Sequence, residues 1–174
     1  MSLALELDDR LRRLDSVVAS ERLNRHEREE ALDELLRAVE SSVESELLAS
    51  VLLLSPDGKH LLHGGAPSLP EPYCEAIHGT EIGPSVGSCG TVAYLGHAIF
   101  VTDIASDPLW ANFRELALSH GLAACWSTPI RDASDRLIGT FAVYYRQPRA
   151  PTEDERRAIA RIDKRAAEII ALSD

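Results

Sequence analysis

Nowhere in the 174 residues does an apolar run approach the roughly 20 needed to cross a bilayer. The N-terminus, MSLALELDDRLRRLDS, carries acids where a secretory signal would be apolar. These two absences set the expectation of a cytoplasmic protein. An excess of basic residues is missing too: 18 Lys and Arg stand against 28 Asp and Glu, a net charge of −10. Nucleic-acid binders present a basic face, so neither nucleic acid nor an anionic membrane surface is expected as a partner. Cysteine is scarce. Cys74, Cys89 and Cys125 are odd in number and widely spaced, which fits neither a disulfide framework nor a zinc signature. Reduced thiols are expected. The six histidines form no i, i+4 helical pair, and His60 and His63 straddle opposite faces of a strand, so no metal site is expected. There is no internal repeat, no low-complexity tract and no GxxxxGK[ST] phosphate loop. No kinase, cyclase or DNA-binding element is recognisable.

An apolar fraction of 45% and a charged fraction of 26% suit a globular chain with one proper core. Ala4, Leu7, Leu11, Leu14 and Val18 recur at three- and four-residue steps. Residues 1–23 are therefore read as an amphipathic helix with a narrow seam, suited to pairing with another helix. Leu7, Leu11, Leu14 and Val18 are its candidate dimer contacts. Asn24 and Glu27 have capping-box spacing and start a second helix, whose buried stripe is Leu32, Leu35, Leu36, Val39 and Val43. Residues 47–54 and 59–64 read as a hairpin around Ser55-Pro56-Asp57-Gly58.

A loop rich in Gly and Pro follows, then a short helix at 71–78 with Gly79 at its C′ position. Residues 83–96 hold small residues, with a helical turn at 89–94. A strand is expected at 98–104 and a helix at about 108–120, begun by Asp107 as cap and Pro108 at N1. Strands at 122–130 and 137–145 flank a polar turn. Thr152 and Glu155 box the start of a final helix with Ile159, Ile162, Ala166, Ile169 and Leu172 on its apolar face. Hairpin-joined strands with helices between them indicate an α+β fold built on an antiparallel sheet.

The run Gly83-Pro84-Ser85-Val86-Gly87-Ser88-Cys89-Gly90-Thr91 is followed by Val101-Thr102-Asp103-Ile104 and Asp107-Pro108-Leu109-Trp110. His120-Gly121-Leu122, Cys125-Trp126-Ser127-Thr128-Pro129-Ile130 and Gly139-Thr140-Phe141-Ala142-Val143-Tyr144-Tyr145 complete the series. Together they resemble a GAF domain of the kind found in bacterial multidomain sensors. The resemblance covers roughly 24–172, and the domain is read as 24–174, with 1–23 as a preceding dimerisation and signalling helix. It implies a central antiparallel sheet of about five or six strands, terminal helices on one face, and ligand-side helices and loops on the other. It also implies an unidentified small-molecule ligand, a homodimer through the terminal helices, and a kinase or cyclase output module elsewhere. No cofactor is assigned.

Within that frame Ser88, Cys89, Thr91, Trp110, Phe113, Leu116, Cys125 and Ser127 are the candidate ligand-binding residues. Trp110, Phe113, Leu116 and Ala117 share one side of their helix, as a pocket lid or as a core stripe. Ser88, Thr91 and Ser127 supply polar groups, and Arg114 is a candidate charge for an anionic ligand. Cys89 and Cys125 read either as a redox pair or as two small buried hydrophobes. The free methionine-(R)-sulfoxide reductases, which are GAF enzymes, carry a stretch like Cys89-Gly90-Thr91. Their nucleophile lies in a loop before the next strand. Residues 109–120 hold no cysteine there, and Cys125 falls on the following strand.

Asp103-Ile104-Ala105 lacks the proline of bilin-binding relatives, and the cyclic-nucleotide signature is absent. The reading is a non-catalytic sensor. A cysteine-based redox enzyme and a degenerate fold retained only for dimerisation are the alternatives.

Overall fold

The computed structural model describes residues 22–43 and 46–173. The expected helix at 1–23, with Leu7, Leu11, Leu14 and Val18, lies outside the described residues except for Arg22 and Leu23. Leu23 is not helical. Its amide donates to the Leu172 carbonyl at 2.7 Å, tying the start of the domain to its end.

Helix α1 (Arg25–Glu40) begins at the capping box: Asn24 Oδ1 accepts from the Glu27 amide, and Glu27 returns the bond to the Asn24 amide. Strands β1 (Leu47–Leu54) and β2 (His60–Gly65) form the hairpin, with Gly58 at φ +71° in its turn. The elements that follow are α2 (Glu71–Ile77), β3 (Thr80–Glu81), α3 (Cys89–Leu95), β4 (Ile99–Val101) and a 3-10 turn (Pro108–Trp110). They are followed by α4 (Arg114–Ser119), β5 (Ala124–Arg131), β6 (Leu137–Tyr145) and α5 (Glu153–Ala171). The six strands make one antiparallel sheet in the order β3-β2-β1-β6-β5-β4.

Side chains alternate across each strand, and the two faces support two cores. Leu47, Ala49, Val51 and Leu53 of β1 face the terminal helices with Phe141, Val143 and Tyr145 of β6. Leu32, Leu35 and Leu36 of α1 and Ile159, Ile162 and Ile169 of α5 close over them. Each such aliphatic side chain contributes about 1.5–3 kcal/mol by leaving water. The opposite face presents Leu48, Leu52, Cys125, Ala142 and Tyr144 to α2, α3, the 3-10 turn and α4. With both faces covered, β5 and β6 are buried along most of their length and carry few alternating polar residues.

Besides the unexpected two-residue strand β3, two elements depart from the expectation. The helix at 108–120 is broken into the 3-10 turn and α4, and the strand at 98–104 shrinks to Ile99–Val101. Both differences shape the site.

Candidate functional site

The loop before α3 is built to bring the Ser88 and Cys89 side chains under the aromatic layer. Gly87 adopts φ +57°, a conformation that side chains resist. A Cβ on Gly90 would come within 2.6 Å of the Val86 side chain, so only glycine lets the loop close on α3. Thr91 then fastens it: its hydroxyl donates to the Gly87 carbonyl at 2.6 Å and accepts from the Val86 amide at 3.1 Å.

Ser88 joins three elements through one oxygen. It accepts from Trp110 Nε1 at 3.1 Å and donates to the Cys125 carbonyl at 3.0 Å. Trp110 reaches it from the 3-10 turn, which Asp107 caps through the Leu109 amide. Arg114 donates to the Ile104 and Asp107 carbonyls, so its guanidinium braces this turn and does not line the chamber.

Behind Trp110 stand two buried tyrosines. Tyr73 of α2 donates to the Tyr144 hydroxyl of β6 at 3.1 Å, with the rings edge to face. Burial raises the pKa of both phenols well above the ordinary tyrosine value, so both stay protonated. His120 meets the edge of Tyr73 at 5.8 Å between ring centres.

Tyr73, Tyr144, Trp110, Phe113, Ser88 and Cys89 line a partly open chamber of about 40 Å³. No charged side chain lines it. A water-sized probe needs about 10–15 Å³, so the space holds roughly three such positions.

Cys89 opens onto the chamber and Cys125 lies fully buried beside it. The neighbouring Cys125 thiol is the largest influence on Cys89 and, against the opposing effect of burial, pulls its pKa below the usual thiol value. Burial first, and then the Cys89 sulfur, push Cys125 well upward. Ser127 Oγ lies 3.3 Å from Cys89 Sγ and 3.0 Å from the Phe141 carbonyl. With one proton, it serves the carbonyl while Cys89 is a thiol and turns to the sulfur when Cys89 is a thiolate.

A sequence model described as "GAF domain" matches residues 25–171. The chain belongs to the GAF family. It is 37% identical over 128 residues to the methyl sulfide methyltransferase-associated sensor of Methanosarcina acetivorans. That match covers 72% of this chain and 13% of the relative's length, so the chain spans a small part of that protein.

Among solved structures it is similar to a GAF sensor protein of Burkholderia vietnamiensis. The TM-score is 0.73 at 19% identity, covering 97% of this chain and 95% of that one. It is also similar to the substrate-bound free methionine-R-sulfoxide reductase of Neisseria meningitidis. There the TM-score is 0.71 at 16% identity, covering 99% and 92%. At these identities the likeness is one of fold alone.

Of the candidate residues of this GAF domain, Ser88, Cys89, Trp110 and Phe113 line the chamber. Cys125 and Ser127 sit behind Cys89, and Thr91 braces the loop. Leu116 packs in the same core without lining the chamber. Tyr73 and Tyr144 were not singled out from the sequence. The pair Tyr144-Tyr145 held a usable signal, because adjacent strand residues face opposite sides and one had to face the ligand layer. Tyr73 offered none beyond its place in a short helix. Among the described residues, no group of three or more His, Cys, Asp or Glu side chains is placed to hold a metal ion.

Proposed function

We propose that this chain is the sensory GAF module of a signalling protein, non-catalytic, taking a small uncharged molecule into the Cys89 chamber. The observation that carries the reading is the chamber itself, placed on the sheet face opposite the terminal helices. Cys125 and Ser127 of β5 face its side, while Ala124 and Trp126 of the same strand pack towards α5. A change at the chamber thereby reaches α5 through one strand. The sensor-named relative supports a sensory role. The output, a kinase or cyclase module, belongs to another segment or protein.

A ligand much larger than three waters requires Trp110 or Phe113 to swing outward, which the short, broken segment around α4 permits. Native mass spectrometry and thermal-shift titration against panels of small neutral metabolites test the reading. Retained or stabilising ligands support it, and loss of the shift in Ser88→Leu assigns it to this chamber. No shift across the panels sinks it. A second reading, a fold kept for assembly alone, is favoured by the small volume, about 40 Å³, that the chamber lined by Trp110 and Phe113 leaves free. It predicts that silent outcome.

The module is further proposed to act as a homodimer through Leu7, Leu11, Leu14 and Val18. Lysine at the first three should give monomers by light scattering, and an unchanged mass counts against the interface.

A further inference from the structure

Two neighbouring thiols at the wall of an apolar chamber go beyond what ligand binding needs: the Cys89 sulfur lies 3.3 Å from Ser127 Oγ of β5, and Cys125, two residues before Ser127 on that strand, packs in the same core. One of them, Cys89, borders the chamber; the other, Cys125, is sealed behind it. The chamber adds two protonated phenols, Tyr73 and Tyr144, joined to each other at 3.1 Å. Its volume of about 40 Å³ and its lack of charged lining suit a neutral solute of two or three heavy atoms. They exclude a nucleotide, a sugar or a tetrapyrrole unless the aromatic layer opens.

We infer that the chamber admits a hydroperoxide, hydrogen peroxide or one of similar size, which oxidises Cys89 and Cys125 to a disulfide. The inference rests on the sensory reading and names its stimulus. The Cys89 thiolate attacks the terminal peroxide oxygen and the O–O bond breaks. Cys89 becomes a sulfenic acid, and the leaving oxygen takes the proton that the Cys89 thiol gave up, through the Tyr144 and Tyr73 hydroxyls. The Cys125 thiol passes its proton to the departing hydroxyl as its sulfur attacks the Cys89 sulfur; the S–O bond breaks, an S–S bond forms and water leaves. In sum, two thiols and one hydroperoxide give one disulfide, one alcohol (water, when the oxidant is hydrogen peroxide) and one water. The hydroperoxide is the oxidant, and each module reacts once until a thiol reductant restores it.

The geometry also suggests why this reaction would be felt at a distance. The two sulfurs go from neighbours to a covalent pair, which draws the first residue of α3 towards β5. The next residue of β5, Trp126, packs against Tyr145 on the far face and bonds the Arg149 carbonyl ahead of α5. Cys74, half-buried and apart from the pair, is an internal control.

The experiment titrates the reduced protein with hydrogen peroxide, quenches in acid, alkylates and maps the thiols by mass spectrometry. Hydrogen exchange of α5 is followed on the same samples. The expected result is loss of two of the three free thiols, a linked Cys89–Cys125 peptide lighter by two hydrogens, and recovery with dithiothreitol. In Cys125→Ser the reaction stops at a Cys89 sulfenic acid that a dione reagent traps. Tyr144→Phe slows thiol loss about tenfold or more, since a positioned proton donor is worth at least that.

Cys89 and Cys125 still alkylatable in excess peroxide, or oxidation confined to Cys74, overturns the inference. That result leaves ligand binding to its own titration. A disulfide that forms with unchanged α5 exchange supports the chemistry and overturns the relay to the terminal helix.

Discussion

Ser88 shows how much of this site hangs on one hydroxyl. It is the partner of a buried indole N–H and the donor to a strand carbonyl, and it is itself fully buried. Ser88→Ala leaves Trp110 Nε1 unpaired, and an unsatisfied buried donor costs about 1–3 kcal/mol. Urea denaturation should show a loss of about 2 kcal/mol. Adding Trp110→Phe removes the orphaned donor, so the double variant should lose less than the sum of the singles. A fully additive pair would show that the bond contributes nothing.

Asp163 is a second residue with its own signature. It lies on α5 at a groove shared with Arg131, Asp132, Lys164 and Glu168. Burial raises its pKa to about 7, although the Thr128 hydroxyl, donating at 2.7 Å, works in the other direction. The folded state therefore binds this proton more tightly than the unfolded chain, whose Asp titrates near 3.9. Below about pH 4 both states are protonated and no penalty applies. Stability then falls as pH rises towards about 7, and the penalty is constant above that. Three pKa units correspond to about 4 kcal/mol, but Asp163 is only half-buried and solvent screens it, so about 2 kcal/mol is expected. Asp163→Asn should remove this share of the pH dependence between pH 4 and 8 and stabilise the protein at pH 8. A variant with the wild-type pH profile would refute the assignment.

Helices that announce themselves by caps are those the sequence predicts best. Thr152 Oγ1 accepts from the Glu155 amide at 3.2 Å, and the Glu155 carboxylate accepts from the Thr152 amide at 2.8 Å. Thr152→Ala should cost about 1 kcal/mol by urea denaturation, with no change at the chamber. An unchanged midpoint would mean that the packing of α5 alone fixes its start. The capping boxes of α1 and α5, the Gly58 turn and the strand 137–145 were legible because their signals are local and strong.

The broken helix at 108–120 was not legible, because tertiary bonds decide it. Trp110 is held to Ser88, and Arg114 folds back onto the Asp107 and Ile104 carbonyls. No periodicity encodes either bond. Strand β4 ends early because Asp103 turns the chain: its carboxylate accepts from the Ala105 amide and the Ser106 hydroxyl. Strand β3, two residues long, is too short to carry a period at all. The site was legible in part for the same reason. The small-residue loop and the two cysteines stand out in one dimension, whereas the Tyr73–Tyr144 pair spans 71 residues and exists only after the sheet has formed.

Taken as a whole, the described molecule is a sheet with the chamber on one face and the terminal helices on the other, and its two tryptophans lie on opposite sides. Trp110 belongs to the chamber. Trp126 belongs to the terminal-helix face, stacked near Tyr145 and under the Arg149 guanidinium, with its N–H on the Arg149 carbonyl. Neither core is continuous with the other, so coupling has to pass through the strands themselves. β5 is the shortest route, because Cys125 and Trp126 are consecutive residues pointing to opposite faces.

The two indoles are therefore separate reporters of one event. In Trp126→Phe the emission follows the chamber alone; in Trp110→Phe it follows the terminal-helix face alone. Hydrogen peroxide added to reduced protein should change both signals at the same rate if the sheet transmits the change. It should change neither in the Cys89→Ser background. A response at Trp110 with none at Trp126 would mean that the sheet insulates its two faces, and that signalling, if any, leaves by the chamber side.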